Sequence, residues 1–415
     1  MFVDPLFSMA IFSLLVLLGF LATVIFEKTR ISDALILILI GILAKHMGWL
    51  EGESLLPIAG LMASVALAII LFEAGLNLDT KNLMQNLGKA LSLGTTSYFL
   101  TSAMVTLSAI FIMHWNPLNA LLLGFLSGGT SAAIIIPMVS VLKLNDEETT
   151  IVQMETTLTN IFTTVFPLMI VKLMVESMVN PSKAMTVLIS SFSTGIVMGV
   201  LIGFIWLKIL RLIRKRPMSY MLTLAMLFIM YAFTEFSGGN GALASLMFGI
   251  VLGNNKAITQ VMNLPSVSTA RYARLHNEIS FLVRTYFFLY LGLILVFPNQ
   301  LMYWVIAGLV GILSFAGRGI TIQVYRMSNK YMPLINKGLS TAVVAVLLME
   351  YGIPLAYETF TIVCMTILWT NILAVPLLWL FGKKKTKREN GNGQRQTPAE
   401  NGGNKGAVQG TAGRG

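Results

Sequence analysis

The residues of this chain that could do chemistry are oxygen donors set into apolar sequence. They concentrate in 124–167, GFLSGGTSAAIIIPMVSVLKLNDEETTIVQMETTLTNIFTTVFP. An apolar helix is expected to begin there and to break at Ser127-Gly128-Gly129-Thr130-Ser131. An apolar run ending in Pro137 follows, then a short charged turn and a second helix. That second helix carries Glu155, Thr156, Thr157, Thr159, Asn160, Thr163 and Thr164. Thr156, Asn160, Thr163 and Thr164 recur at three- and four-residue spacing, which puts their oxygens on one face. A glycine break beside an oxygen-lined helix suits an ion site within a membrane. Irregular backbone frees carbonyls and helix ends, and at bilayer depth it is tolerated only where it lines a cavity or is buried in protein. The same composition also suits a Gly/Ser/Thr packing seam between helices. The stretch alone leaves both open.

Ionisable residues inside apolar runs are few: Glu73, Glu155, Glu235, Arg284, Arg318, Glu350 and, near run ends, Lys172 and Lys208. Each costs roughly 2.5–3.5 kcal/mol at the centre of a membrane helix. Lys172 and Lys208 are expected to snorkel to the interface, and Glu350 sits near the outer end of its run. Arg318, in FAGRGI, is deep and calls for a carboxylate partner. Glu155 is the expected one. Such an ion pair would hold the broken helices together without touching substrate, serving arrangement more than net stability. Glu73, in FEAGL, is either a proton carrier or a helix-contact carboxylate satisfied by hydroxyls.

These groups need elements to position them. The chain of 415 residues is 56% hydrophobic and only 11% charged, with mean hydropathy +0.78. It is therefore expected to be an all-α polytopic membrane protein. Spans are predicted at about 6–26, 32–49, 54–78, 86–114, 117–143, 148–178, 183–213, 218–236, 240–254, 279–297, 300–325, 337–351 and 357–381, thirteen in all. The net charge of +11 does not imply nucleic acid, because the basic residues gather in alternate loops and the tail. Lys28/Arg30, Lys81/Lys89, Lys143, Arg214/Lys215/Arg216, Lys256/Arg271/Arg274 and Arg326/Lys330/Lys337 read as cytoplasmic loops. This predicts a cell-membrane protein with its N-terminus outside and its C-terminus in the cytoplasm. The first run has Asp4 ahead of it and Lys28 and Arg30 behind, opposite to a cleaved secretory signal. Residues 383–415 read as a disordered basic tail. The single cysteine, Cys364, allows no intrachain disulfide. His46, His114 and His276 are placed far apart at loop edges and make no metal spacing. GGNG at 238–241 reads as a helix-breaking turn with no phosphate loop after it. No cofactor and no enzyme activity are expected.

Broken span five has a counterpart seven spans later in KGLSTAVVAVLLMEY, 337–351, where Gly338-Leu339-Ser340-Thr341 repeats the small, hydroxyl-rich patch. An odd offset reverses orientation. A membrane domain over 1–382 would then consist of inverted halves, 6–178 and 218–381, around a linker helix at 183–213, with two crossed discontinuous helices at a transport site.

With LFEAGLNLD, GGTSAAIIIP, METTLTN, TEFSGGNGALASLMFGIVLGN, RTYFFLYLGL and KGLSTAVVAVLL in this order, the chain resembles the monovalent cation/proton antiporter superfamily, nearest the NhaP and NapA type of sodium/proton exchanger. The resemblance covers residues 6–381. It implies a six-helix core moving against a dimerisation domain, a homodimer, and alternating-access exchange of Na⁺, or K⁺, for H⁺. It also implies the Glu155–Arg318 pair. In that family the central helix ends its motif in Asp, which binds cation or proton in turn, and the broken helix often reads Thr-Asp-Pro. Here those positions are Asn160 and Ser131. Asn160, Thr130, Ser131, Thr159 and Thr156 can still offer oxygens to a monovalent cation, but an amide carries no titratable proton near neutral pH. Three explanations stand side by side. Position 160 is a deliberate Asp-to-Asn substitution that arrests the carrier. Or Glu73 or Glu155 carries the proton. Or exchange is lost and a cation-binding, leak or sensor protein remains.

Overall fold

The computed structural model describes residues 5–29, 31–48, 59–78, 80–142, 144–179, 182–213, 219–256, 258, 270–295, 298 and 300–382. The tail expected over 383–415 and the Arg214-Lys215-Arg216 loop lie outside the described residues.

Among these residues the chain is all helical. In order it forms α1 (Pro5–Thr29), α2 (Asp33–His46), α3 (Ala59–Asn77), α4 (Thr80–Phe111), α5 (Pro117–Gly128), α6 (Ala132–Leu142), α7 (Asp146–Val179), α8 (Ala184–Ile213), α9 (Ser219–Phe236), α10 (Gly241–Gly253), α11 (Ala270–Ile294), α12 (Leu301–Val324), α13 (Leu339–Glu350) and α14 (Ala356–Gly382). Among the described residues α5 and α6 are two arms of one interrupted span. Six helices among them are long and apolar enough to cross a membrane by length and composition, and several shorter apolar ones accompany them. The chain is a multi-pass membrane protein.

Local chemistry sets the ends. Asn145 and Glu148 form a reciprocal capping box at the start of α7. Asn145 Oδ1 accepts from Glu148 N at 2.7 Å, and Glu148 Oε2 accepts from Asn145 N at 3.0 Å. Asp146, Glu147 and Glu148 in the first turn complement the helix dipole. α5 opens on Asn116, whose side chain accepts from Leu118 N, with Pro117 at the first helical position. α4 and α11 start earlier than hydropathy indicates, at Thr80 rather than 86 and at Ala270 rather than 279. Both extensions carry basic residues that lower mean hydropathy without breaking the helical period.

The helices associate in two groups. α4, α5, α6, α7, α12, α13 and α14 pack around the interrupted spans, while α3, α8, α9 and α10 pack together and α1, α2 and α11 form an adjoining layer. The groups meet where α3 lies along α13 and where α7 touches α8. Tyr98 of α4 ties the first group together. Its hydroxyl lies 2.9 Å from the Phe125 carbonyl of α5 and 3.1 Å from the Phe162 carbonyl of α7. Phe99, Phe125, Phe162 and Phe166 surround it at ring-centroid distances of 5.3–6.2 Å.

Candidate functional site

α5 ends at Gly128, and the chain leaves helical geometry over 129–131 before α6 begins. α13 has only 12 residues, about 18 Å of helix. Ahead of it the chain is unwound over 334–338. The two interruptions touch. Ser131 N donates to the Asn336 carbonyl at 2.9 Å, and the Lys337 ammonium donates to the Gly129 carbonyl at 2.7 Å. Gly129 terminates α5, so the ammonium meets the negative end of that helix dipole. Close approach requires glycine on both sides. A Cβ on Gly129 would collide with Thr163 Oγ1 and the Thr159 carbonyl, and one on Gly338 would collide with the Ser131 side chain.

The oxygens expected on α7 separate into two sets. Thr159 Oγ1 donates to the Thr156 carbonyl at 3.2 Å. Thr130 Oγ1, 3.1 Å away, must then donate to Thr159 and keeps its own lone pairs free. Thr156 Oγ1 is spent on the Val152 carbonyl at 2.7 Å and is buried. Asn160 Oδ1 accepts a short hydrogen bond from Ser340 Oγ, which links α7 to α13.

Arg318 and Glu155 meet as expected. They form a two-pronged ion pair: Nη1 reaches Oε1, and Nη2 lies 3.0 Å from Oε2. The side chains are 3% and 1% exposed. Arg318 Nε also approaches the Tyr331 carbonyl at 3.4 Å. A carboxylate whose two oxygens are held by one guanidinium in a dry site is a fixture of the fold.

A cavity of about 400 Å³ opens beside the crossing. Its wall includes Asn160, Ser131, Ser340 and Thr157 on one side and Glu73, Ser280 and Arg284 on the other. Glu73 projects from α3, and Ser280 of α11 donates to its Oε2 at 2.6 Å. His276 Nε2 lies 3.8 Å from the same oxygen, and His276 Nδ1 pairs with Tyr220 OH at 2.8 Å. Arg284 faces Asp33 at 3.6 Å.

The structure therefore brings Ser131, Asn160 and Glu73 to one cavity, places Thr130 and Thr159 against each other, and turns the Thr156 hydroxyl into its own helix. Three expectations are corrected. Lys337 is no cytoplasmic loop residue; it is 2% exposed at the crossing, because the unwound chain carrying it is packed on α14. His276 is not at a loop edge but buried in α11. Lys172 does not snorkel: its ammonium bonds Ser191 Oγ at 2.6 Å and the Gly239 carbonyl at 2.8 Å, with Glu235 at 3.8 Å. Asn336 and Asn371, which shape the second interruption, give no signal in the sequence, because lone asparagines in apolar runs resemble helix ends.

A K⁺/H⁺ antiporter NhaP of Alkalimonas amylolytica is 26% identical over 325 residues, 76% of this chain and 54% of that protein. The K⁺/H⁺ antiporter NhaP2 of Shewanella sp. strain ANA-3 is 28% identical over 251 residues, 58% of this chain and 43% of that one. The chain thus spans about half the length of the curated relatives it matches. The solved structure of the sodium proton antiporter MjNhaP1 from Methanocaldococcus jannaschii at pH 8 is similar with a TM-score of 0.75 at 20% identity, over 90% of this chain and 100% of that one, and shows the fold. The sodium/hydrogen exchanger transmembrane family model matches residues 13–380, and with two interrupted helices meeting inside an all-helical membrane domain, this chain belongs to the sodium/hydrogen exchanger family.

Proposed function

We propose that the protein exchanges a monovalent cation, Na⁺ or K⁺, for H⁺ across the membrane by alternating access. One observation carries this reading: Asn160 and Ser131, at the meeting of the two interruptions, share a cavity with the carboxylate of Glu73. The oxygens of Asn160 and Ser131, backed by Thr130 and Thr159, hold the dehydrated cation. Glu73 carries the proton.

Charge explains the coupling. Arg318 and Glu155 cancel each other, so the crossing offers the Lys337 ammonium and no free acid of its own. The ionised Glu73 carboxylate is the charge that can welcome a metal ion. A carboxylate and a cation about 6 Å apart attract by roughly 3 kcal/mol at an effective dielectric of 20. Protonating Glu73 removes that attraction, about a hundredfold in affinity. Proton and metal ion therefore compete without sharing a ligand.

The same proposal covers the wider arrangement. The halves 6–178 and 218–381 are inverted counterparts around 183–213, the group containing α5 and α13 moves against the other, and the protein works as a homodimer. The N-terminus faces outside and the C-terminus the cytoplasm. The relatives, K⁺/H⁺ antiporters, support the reading. The test is a dye-reported ΔpH in proteoliposomes on adding NaCl or KCl. Cation-dependent proton movement is expected; none at any pH from about 5 to 9 excludes exchange. Cation flux without proton movement would mark a leak instead.

A further inference from the structure

We propose that the side-chain amide oxygen of Asn336 is a ligand for the dehydrated monovalent cation and a determinant of which cation is taken; this rests on the exchange reading above. Asn336 lies in the unwound chain ahead of α13. It is fully buried, and its main-chain carbonyl accepts from Ser131 N, so it adjoins the hollow that Ser131 and Asn160 line.

Its neighbours settle which way the amide faces. Asn371 of α14 donates Nδ2 to the carbonyls of Lys337 at 3.0 Å and Ile367 at 2.8 Å. The Oδ1 of Asn371 can therefore only accept. Asn336 must offer Nδ2 to it, at 3.0 Å. Flipping either amide would set two donors or two acceptors face to face. Asn336 Oδ1 is thereby the one acceptor of the pair left over, and among the described residues no donor reaches it.

A buried amide oxygen without a donor is costly, so its persistence points to an occupant. Carbonyl-type oxygens on unwound membrane segments are ligands that alkali cations accept. The mount is rigid as well: Lys337 N donates to Thr370 Oγ1 at 3.2 Å, so consecutive residues of the unwound chain are pinned to α14. A neutral, fixed oxygen ranks cations by size and dehydration rather than by charge. The competing cation at the crossing is the Lys337 ammonium, held on the Gly129 carbonyl.

The test is a structure of the full chain in lipid nanodiscs with thallium(I), a potassium mimic located by its scattering. A thallium peak within roughly 3 Å of Asn336 Oδ1 is expected for an oxygen ligand of so large an ion. A peak beside Asn160 and Ser131, with water or the Lys337 ammonium on Asn336 Oδ1, overturns this proposal and leaves the exchange reading standing. No peak at the crossing counts against both. A second measurement compares N336A with N371A, which breaks the same amide pair but keeps the Asn336 oxygen. N336A should raise the half-saturating concentration of Na⁺ or K⁺ roughly tenfold or more, and N371A by less than roughly threefold. Equal shifts would make Asn336 only an anchor of the strand. Should N336A fail to fold, the thallium map decides.

Discussion

Glu155 and Glu73 are the same residue type placed within apolar helices on either side of the same crossing, and their surroundings give them opposite characters. Glu155 has both oxygens engaged by Arg318 and is 1% exposed. Glu73 keeps about a third of its side chain exposed, takes one hydroxyl hydrogen bond, and looks into the cavity. An acid locked in an ion pair cannot exchange its proton without stranding a buried guanidinium, whereas one facing a cavity can. The difference teaches that a buried charge inside a membrane is assigned by what it touches, not by its depth.

The comparison breaks most visibly at the ion pair. Arg318→Ala or Glu155→Ala should destabilise the protein by about 3–5 kcal/mol, because each leaves an uncompensated buried charge. Thermal unfolding in detergent reads the loss, and the double reversal Glu155→Arg with Arg318→Glu should recover part of it. Wild-type stability of either single variant would remove the pairing from the account. Glu73→Gln should behave the other way round. It should lower coupled exchange by about a hundredfold while unfolding within about 1 kcal/mol of wild type, since the Ser280 hydroxyl can still donate to the amide oxygen of the glutamine.

Asn160→Asp sharpens the contrast by adding an acid where the crossing has none. Cation affinity should rise by about tenfold or more once the new carboxylate ionises. The gain should grow as pH rises and vanish at low pH, which cation titrations across pH would show. A pH-independent gain would mean the new group never titrates. The smallest effect is expected at Ser280→Ala, which removes the hydroxyl on Glu73 and is worth about 1 kcal/mol. The pH midpoint of exchange should move while stability holds. No movement would indicate that Glu73 is not the titrating group.

Much of this was legible in the sequence, and for physical reasons. A Gly-Gly break with hydroxyls inside an apolar run has few uses at bilayer depth, so the interruption at 129–131 stands out. Arg318 between glycines demands an acid, and Glu155 was the deepest available. The place of Lys337 is not legible, because a lysine before a short apolar run looks like a loop charge. Its role depends on the unwound chain folding back on α14, a contact made across 33 residues. His276 was misjudged for a related reason: RYARLHNEIS is polar enough to read as a loop, though α11 extends through it. Thr157 rather than Thr156 shares the cavity wall with Asn160, because neighbours in a helix differ by about 100° and the packed face lies just behind the open one.

The central claim is that Glu73 supplies the proton for an exchange whose cation rests on the oxygens of the crossing. The most direct measurement is proton flux driven by a K⁺ or Na⁺ gradient in proteoliposomes, run side by side for the wild type and Glu73→Gln, with cation binding followed separately. The account predicts robust flux from the wild type and almost none from Glu73→Gln, with the variant binding the cation about a hundredfold more weakly and without pH dependence. Undiminished flux through Glu73→Gln, or an inert wild type at every pH, would contradict it.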